Sequence, residues 1–324
     1  MKNGCCGVNE LTVTRPQVTM IRQENLTNIH LSNRMFLFRP CVGSNKYPGI
    51  VCAAQELLPK LGVQPEISDD QTCCGGFLTF TNVAEPNGTM PAVARNFCVM
   101  EQAGLDAIAL CNGCFTFLND FRDFMNRNVE ARTVVNMVLS LIDREYEGTS
   151  KVYHIFEVLL KVKDRISENV IKPLSGLKFA VHYGCHYLFA HKKKAVDDPF
   201  MPTGIEEIIE ILGGEAVPYT EHRSCCGTGL TQVILNKEEV SLPHTMMKLN
   251  SIQDASPDAV VVICPYCLSQ LDRMQHKLNL RREGKYAIPV MHLTQLVALG
   301  FGVAPEKLGL GAHNIPFDDL MKKL

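Results

Sequence analysis

Cysteine is the residue type whose number and spacing point to chemistry in this sequence. The chain has 324 residues and 14 cysteines. A chain of this length can bury a sizeable hydrophobic core and needs no disulfides for its stability. Charged and polar residues occur throughout its first thirty residues, so we expect no secretory signal and a cytoplasmic location. Many cysteines in such a protein indicate metal binding or redox chemistry.

Ten of the cysteines form two copies of one pattern: a single cysteine, an adjacent pair and a Cys-x2-Cys motif. The positions are Cys41, Cys73, Cys74, Cys111 and Cys114 in the first copy, and Cys185, Cys225, Cys226, Cys264 and Cys267 in the second. Corresponding cysteines are 144 to 153 residues apart, and Thr72-Cys73-Cys74-Gly75 matches Ser224-Cys225-Cys226-Gly227. The chain is therefore predicted to be an internal duplication of two domains rather than a set of short repeats.

The cysteines follow predicted strands. Apolar runs at 35–39 and 107–110 in the first copy, and at 178–182 and 259–263 in the second, predict buried strands. Because helical segments alternate with these strands, we expect parallel sheets and an α/β fold. The single cysteine and the Cys-x2-Cys motif of each copy would then lie at the carboxyl edge of a sheet, where α/β proteins bind ligands. Each Cys-x2-Cys motif also opens a helix, whose N-terminus favours thiolates and anionic groups.

The domain boundaries follow from the duplication. We predict an N-terminal extension at 1–34, a first domain at 35–150, a helical linker at 151–175, a second domain at 176–303 and a C-terminal tail at 304–324. The segment 129–170 has a helical pattern throughout. Pro243 is expected to break or restart the helix predicted at 238–255.

Charge and hydropathy exclude several classes of function. Lys and Arg number 32 against 34 Asp and Glu, which leaves no basic excess for nucleic-acid binding. The longest apolar runs are far shorter than the ~20 residues of a membrane span, so no transmembrane segment is expected.

Five cysteines per copy leave more than one chemistry open. Buried, inert thiols would not need so regular a spacing, and a structural zinc site takes four ligands. An ordinary [4Fe-4S] cubane also takes four thiolates, so either one cysteine is a bystander or the cluster is not an ordinary cubane. Both cysteines of an adjacent pair can face one group only from a non-extended loop, which Gly75 and Gly227 allow.

The pattern resembles the cysteine-rich CCG domain, two copies of which make the catalytic B subunit of heterodisulfide reductase. The resemblance covers about residues 35–300 and extends to Ala94-Arg95-Asn96, Val181-His182-Tyr183-Gly184-Cys185-His186-Tyr187 and Asp197-Asp198-Pro199. It implies two duplicated, Rossmann-like α/β lobes with an iron–sulfur cleft between them. It further implies that the five cysteines of each lobe bind one noncubane [4Fe-4S] cluster.

The resemblance also implies an activity and partners. The family reduces the mixed disulfide of coenzyme M and coenzyme B to two thiols in methanogenic archaea. Its electrons come through a small, ferredoxin-like iron–sulfur protein, the C subunit, and through the A subunit, which contains flavin and iron–sulfur clusters. An electron-transfer subunit of a related redox complex, with another disulfide, a quinone or a carrier as acceptor, is the alternative. A zinc-stabilised interaction protein is a third interpretation.

Other residues are assigned by their neighbourhood. His186, next to Cys185, and Arg223, two residues before the second cysteine pair, are the candidate catalytic residues. Lys192-Lys193-Lys194 could meet anionic groups of a substrate. Three further side chains near Cys185 could donate protons or hydrogen bonds to sulfur, namely His182, Tyr183 and Tyr187. Cys52 and Cys98 are predicted to be core thiols. Cys5 and Cys6 lie in the extension, which is expected to be a disordered tail, with a contact to another subunit as the alternative.

Overall fold

A computed structural model describes residues 22, 24–80, 83–190, 196–229 and 237–324 of the chain. Two lobes of mixed α/β structure follow each other in sequence, and each is organised on its own sheet of four strands. Cys5, Cys6 and the lysines at 192–194 lie outside the described residues.

The elements of the first lobe alternate between strand and helix. In chain order they are β1 (Arg34–Phe38), α1 (Cys41–Lys46), α2 (Gly49–Lys60), β2 (Gln64–Glu66), α3 (Gly76–Phe80), α4 (Pro86–Gln102), β3 (Ala107–Ala109), α5 (Asn112–Arg127), α6 (Val129–Leu139), β4 (Val152–His154), α7 (Ile155–Lys161) and α8 (Lys163–Glu168). A short 3₁₀ turn, Ser140–Ile142, follows α6.

The second lobe repeats this order. Its elements are β5 (Lys178–His182), α9 (Gly204–Ile211), β6 (Glu215–Ala216), α10 (Glu238–Asp254), β7 (Ala259–Val262), α11 (Pro265–Leu280), β8 (Val290–His292), α12 (Leu293–Gly300) and α13 (Asp318–Lys322). A π-helical turn, His186–Ala190, follows β5, and a 3₁₀ turn lies at Leu310–Ala312.

Both sheets are parallel and have the same strand order. The first runs β2-β1-β3-β4 and the second β6-β5-β7-β8. The central strands are almost wholly buried, as expected for parallel strands covered on both faces. In the first sheet the chain adds β2 on one side of β1 and β3 on the other, so the strand order reverses between β1 and β3. The second sheet does the same around β5, between β5 and β7. The prediction of two duplicated α/β lobes is confirmed.

The predicted helical stretch at 129–170 is wrong in its middle. Helix α6 ends at Leu139, and Val152–His154 forms β4, which pairs with β3 in the first sheet. Three residues are too few to show strand periodicity, so pairing in the folded chain decides their structure. The boundary expected at residue 150 therefore separates a strand from the sheet to which it belongs.

Pro243 does not break its helix either. Helix α10 continues from Glu238 to Asp254 with Pro243 as its sixth residue. Pro91 is likewise the sixth residue of α4, the corresponding helix of the first lobe. Both long helices therefore continue through a proline at the equivalent position.

The lobes are joined by helices that each pack on the other lobe. Helix α12 of the second lobe packs on α2 of the first, and α7 of the first packs on α9 of the second. Both receiving helices begin with glycine. A Cβ atom on Gly49 would lie 1.8 Å from the backbone oxygen of Leu308, and one on Gly204 would lie 2.7 Å from a ring carbon of Phe156. Gly204 thus permits the close approach of α7 and α9, and Gly49 permits the close approach of α2 and the C-terminal segment at Leu308.

The C-terminal tail, residues 304–324, is fixed to both lobes. The carboxylate of Asp272 in α11 is fully buried and accepts hydrogen bonds from the backbone N–H groups of Asn314 and Ile315 at 2.9 Å each. It also accepts a hydrogen bond of 2.9 Å from the hydroxyl of Tyr47 in the first lobe. This one carboxylate links the second lobe, the first lobe and the C-terminal segment.

A pair of buried histidines lies at the junction of the lobes. His154 ends β4 and His292 ends β8, and each Nδ1 accepts a hydrogen bond from the first turn of the helix that follows. Burial lowers the pKa of His154 to about 3 and that of His292 to about 4. Each ring also lies near a backbone carbonyl of the opposite lobe, that of Ile263 for His154 and that of Leu110 for His292.

We expect Gly49→Ala to destabilise the protein by roughly 1–3 kcal/mol, because the added methyl group has no space beside the Leu308 carbonyl. Gly88→Ala is the matched control. Gly88 lies in α4, and a Cβ atom added there would have nothing within 4 Å, so alanine should be neutral or stabilise by up to ~1 kcal/mol. Urea unfolding measures both. Equal stability changes in the two variants would show that Gly49 does not lie close to the Leu308 carbonyl.

A second prediction concerns pH. The unfolded chain protonates these histidines near pH 6.5, whereas the folded chain resists protonation until about pH 4 or below. Stability therefore falls as the pH drops from about 6.5 to 4. His154→Asn keeps a helix-capping side chain but does not titrate, so its loss of stability should be shallower by up to about 1.4 kcal/mol per pH unit.

Urea unfolding at pH 6.5 and pH 5 tests this expectation. His276→Asn, which replaces an exposed histidine, is the control. If His154→Asn and the unmodified chain lost stability equally over this range, the buried, neutral state of His154 would be contradicted.

Candidate functional site

All ten repeated cysteines line one recess between the lobes. The recess measures about 750 Å³, including the part that is open to solvent, and its walls are mostly apolar. Cys74, Cys111, Cys114, Cys226 and both cysteines of the second Cys-x2-Cys motif are buried, while Cys41 and Cys73 are exposed at its rim. Cysteines that are more than 200 residues apart in sequence are therefore brought to one site.

The strand order explains why these cysteines meet. Cys41 follows β1, and Cys111 follows β3 as the residue that caps α5. Because β1 and β3 are the neighbouring strands at which the strand order reverses, their carboxyl ends leave a crevice in which α/β proteins bind ligands. Cys185 and Cys264 follow β5 and β7 in the same way. The two crevices face each other.

The adjacent cysteines lie in loops whose shape depends on the glycine that follows each pair. Gly75 has a φ of 78° and Gly227 a φ of 91°, a left-handed conformation that other residues rarely adopt. The N–H of each glycine donates to the first sulfur of its pair at 3.4 Å. A Cβ atom at Gly227 would lie 2.4 Å from the hydroxyl of Thr245. The non-extended loop predicted from the sequence is present in both lobes.

The long helices α4 and α10 hold these loops from behind. In the first lobe, Asn96 accepts a hydrogen bond from the N–H of Thr72 at 2.8 Å and donates one to the carbonyl of Cys73 at 3.0 Å. In the second lobe, Thr245 donates to the carbonyl of Cys226 at 2.9 Å, and Lys248 donates to the carbonyl of Glu221. Each loop is thus anchored by side chains of the helix behind it.

The sulfur atoms form a continuous series that is symmetric between the lobes. In the first lobe, Cys41 contacts Cys73, Cys74 contacts Cys114, and Cys114 contacts Cys111. In the second lobe, the same contacts join Cys185 to Cys225, Cys226 to Cys267, and Cys267 to Cys264. The Cys226 and Cys267 sulfurs are 3.5 Å apart. Cys111 and Cys264 join the two series across the lobes, with 3.9 Å between their sulfurs.

Such crowding prevents the thiols from ionising together. A hydrogen bond to Cys225 raises the pKa of Cys226 to about 12, and one to Cys111 raises the pKa of Cys264 to about 12. Hydrogen bonding from Cys185 and Cys226 lowers the pKa of Cys225. Neighbouring thiolates repel one another, so only a bound cation allows all of them to be deprotonated at once. Soft thiolate donors at helix N-termini fit a metal–sulfur group in each lobe.

His182, the last residue of β5, points toward the second set of sulfurs. One of its ring nitrogens and the sulfurs of Cys226 and Cys267 all lie within 4.8 Å of one another. The ring is buried, neither nitrogen forms a hydrogen bond within the described structure, and the backbone carbonyl of His222 lies nearby. Burial lowers the pKa of His182, so the neutral ring can offer one N–H and one lone pair. His182 adjoins the site as the sequence suggested.

The other residues near Cys185 have different surroundings. His186 lines the recess beside the cysteines. The hydroxyl groups of Tyr183 and Tyr187 instead donate to Glu206 and Glu157 in the core, so they do not face the sulfurs. Arg223 is exposed and donates to the carbonyl of Phe200 at 3.1 Å, and it is not among the described residues that line the recess.

Two cysteines outside the pattern were predicted to be core thiols. Cys98 is buried and donates to the carbonyl of Glu145 at 3.1 Å. Cys52 is exposed, because it lies on the outer face of α2, so this prediction is wrong. Neither lines the recess.

Sequence reasoning missed His154, His292 and Lys248 as neighbours of this site. The two histidines end the fourth strand of each lobe, in Val152-Tyr153-His154 and Val290-Met291-His292, a repetition that extends the duplication beyond the cysteines. Lys248 has the sequence context of a surface helix, yet it is fully buried.

Comparison with known proteins agrees with this geometry. The family model described as a cysteine-rich domain, CCG, matches residues 35–119 and 179–272, together more than half of the chain. A solved hypothetical protein from Helicobacter pylori shares the fold with a TM-score of 0.64 at 12% identity. The match covers 94% of this chain and 58% of that one.

Relatives with known names are similar over nearly their whole length. The chain is 33% identical to the B subunit of the ferredoxin/F420H2-dependent CoB-CoM heterodisulfide reductase of Methanosarcina acetivorans, over 90% of this chain and 97% of that protein. It is 34% identical to a protein of Archaeoglobus profundus described as similar to the heterodisulfide reductase B subunit, over 89% and 97%.

A third relative has a different name. The 8-methylmenaquinol:fumarate reductase membrane anchor subunit of Wolinella succinogenes is 31% identical, over 86% of this chain and 96% of that protein. Among the helices that the structure describes here, none combines the length and apolarity needed to span a bilayer. With two matches to the family model, two equivalent lobes and these relatives, the chain belongs to the tandem cysteine-rich (CCG) family of the heterodisulfide reductase B subunit.

Proposed function

We propose that this chain is the catalytic iron–sulfur subunit of a heterodisulfide reductase-type complex. It would reduce a mixed disulfide of two low-molecular-weight thiols, with the coenzyme M–coenzyme B disulfide as the foremost candidate. One observation carries this proposal: two equivalent sets of five thiols face each other in a single recess that is open to solvent. A molecule with two sulfur atoms can contact both sets of thiols from within this recess.

The cofactors are two noncubane [4Fe-4S] clusters in this proposal, one per lobe. Cys41, Cys73, Cys74, Cys111 and Cys114 would bind the first, and Cys185, Cys225, Cys226, Cys264 and Cys267 the second. Five sulfurs in each set exceed the four that an ordinary cubane takes, which supports a noncubane form. When bound, such clusters supply electrons one at a time.

The chain's own residues would position the substrate and manage protons. Reductive cleavage of a disulfide consumes two electrons and two protons and gives two thiols. His186 lines the recess and adjoins Cys185, so it is the candidate proton donor to a product thiolate. The apolar walls, which include Val42 and Phe77, would exclude water around the reacting sulfurs. Arg223, at the exposed end of the second cysteine-pair loop, is a candidate contact for an anionic substrate group.

Electrons would have to come from other subunits, because the sequence has no ferredoxin-like run of closely spaced cysteines. We propose a ferredoxin-like iron–sulfur protein, the C subunit of such complexes, and a flavin-containing A subunit as these partners. The relatives' names support a place in a complex, since they are called subunits of larger reductases.

A second candidate function has specific support from the Wolinella succinogenes relative, which is named a subunit of a fumarate reductase. In that case the same two clusters would transfer electrons between a quinol and a partner subunit, without acting on a disulfide. The two candidates share the cofactors and differ in the substrate.

The cysteine assignment makes a prediction for each lobe separately. Cys74→Ser and Cys226→Ser should each lose the cluster of their own lobe and retain roughly half of the iron of the unmodified chain. Cys52→Ser, which alters an exposed cysteine outside the recess, should retain all of it. Iron and acid-labile sulfide are measured after anaerobic purification. Full iron content in Cys226→Ser would contradict the assignment of the second set.

The substrate prediction is tested on the anaerobically reduced chain by stopped-flow absorption. The coenzyme M–coenzyme B disulfide should reoxidise the clusters and release two thiols per disulfide. His186→Asn should slow this step by ~10²-fold if the imidazole donates a proton, whereas His276→Asn, at an exposed position, should not. Reoxidation by a quinone with no response to the disulfide would instead favour the electron-transfer function.

A further inference from the structure

The two sets of cysteines are equivalent in arrangement but not in their electrostatic surroundings. Because the lobes are duplicates, each residue near one set has a counterpart near the other. Lys248 lies 152 residues after Asn96, the same interval that separates the cysteine pairs. His182 ends β5, and Phe38 ends the corresponding strand β1. The first lobe is therefore an internal reference for the second.

Lys248 places a positive charge behind the second set. Its side chain is fully buried, and its ammonium group donates to the carbonyl of Glu221 and lies 5.2 Å from the ring centre of Tyr219. Burial lowers the pKa of Lys248 to about 8. Thr245, one helical turn earlier in α10, donates to the carbonyl of Cys226, so the ammonium group lies behind the loop that carries Cys225 and Cys226.

Asn96 holds the loop in the first lobe without a charge. Its amide makes hydrogen bonds with the backbone of Thr72 and Cys73, as Lys248 does with Glu221. The two residues therefore share an anchoring role, and the charge is the difference between them.

His182 adds a donor that the first lobe lacks at that position. Its ring approaches the sulfurs of Cys226 and Cys267, and neither nitrogen forms a hydrogen bond in the described structure. The equivalent Phe38 is an apolar side chain with no N–H. A neutral hydroxyl, that of Tyr266, does contact Cys41 in the first set. One neutral donor at the exposed rim stabilises negative charge on sulfur less than a buried cation and a buried N–H do together.

The segments that precede the cysteine pairs add little to this contrast. The first lobe has Asp69-Asp70-Gln71 where the second has Glu221-His222-Arg223. Asp69 and Asp70 are exposed and form ion pairs with Arg39, Arg95 and Arg144, so their negative charges are compensated. Solvent also weakens the effect of these exposed groups, so Lys248 dominates the contrast.

We propose that Lys248 and His182 make the two metal centres unequal, so that the centre of the second lobe has the higher reduction potential and receives electrons first. Reduction adds negative charge to a cluster, and a nearby cation or N–H donor to its sulfurs stabilises that charge. The inference rests on the proposed function, because it requires a cluster in each lobe. The centre of the first lobe then has the lower reduction potential.

Anaerobic potentiometric titration at pH 7, followed by electron paramagnetic resonance, tests this inequality. Cys226→Ser retains the first centre and Cys74→Ser the second, so each potential can be assigned separately. The second centre should be easier to reduce by at least tenfold in its equilibrium, which is ~59 mV for a one-electron couple.

Lys248→Gln then tests the cause. Glutamine keeps a donor for the Glu221 carbonyl but removes the charge. We expect it to lower the potential of the second centre by a tenfold change in equilibrium or more and to leave the first unchanged. Lys285→Gln makes the same change of charge at an exposed site and should alter neither. His182→Phe, which installs the residue of the first lobe, should lower the second potential independently.

The outcomes separate the inference from the function on which it rests. A chain without iron would overturn both. Iron in both lobes with equal potentials, or a lower potential for the second centre, would overturn the inference alone. If Lys248→Gln failed to fold, the potentials of Cys74→Ser, Cys226→Ser and His182→Phe would still decide it.

Discussion

Repulsion between ionised thiols is the constraint on which this structure depends. The sulfurs of ten cysteines form one series through the recess, and contacts of 3.5 Å and 3.9 Å bring pairs of them together. Without cations, such thiols must share protons, as the raised pKa values of Cys226 and Cys264 show. When thiols this close together are all deprotonated, their negative charges are balanced only by bound metal ions.

The rest of the architecture holds the two half-sites against each other. In each lobe, two parallel strands end beside a cysteine of the recess. Glycines in the left-handed conformation turn the cysteine pairs inward. Helices that pack on the opposite lobe fix the distance between the lobes. Gly204 allows α7 and α9 to approach, and Gly49 allows α2 to approach the C-terminal segment. The Asp272 carboxylate ties that segment to both lobes. His154 and His292 fill the junction behind the cysteines. Duplication thus serves the site directly, because it supplies two equivalent sets of five thiols across one recess.

The sequence predicted the two α/β lobes and the cysteines that meet in the recess, but not every element around them. The ten cysteines were identified from their spacing, and the strands before them from continuous apolar runs, since buried parallel strands carry strong local signals. Strand β4 was missed because its three residues acquire their structure only by pairing with β3. The environment of Lys248 was equally hidden. A lysine in a helix signals a surface position, and only the packing of α10 behind the cysteine loop shows that it is buried.

The central claim is that each lobe holds an iron–sulfur cluster on its five cysteines. The most direct test is to measure iron, acid-labile sulfide and zinc per polypeptide in the anaerobically purified chain. We expect about eight iron and eight sulfide ions, four of each per cluster, and no zinc. About two zinc ions and no iron would contradict it, and would instead mean two closed structural sites in an interaction protein.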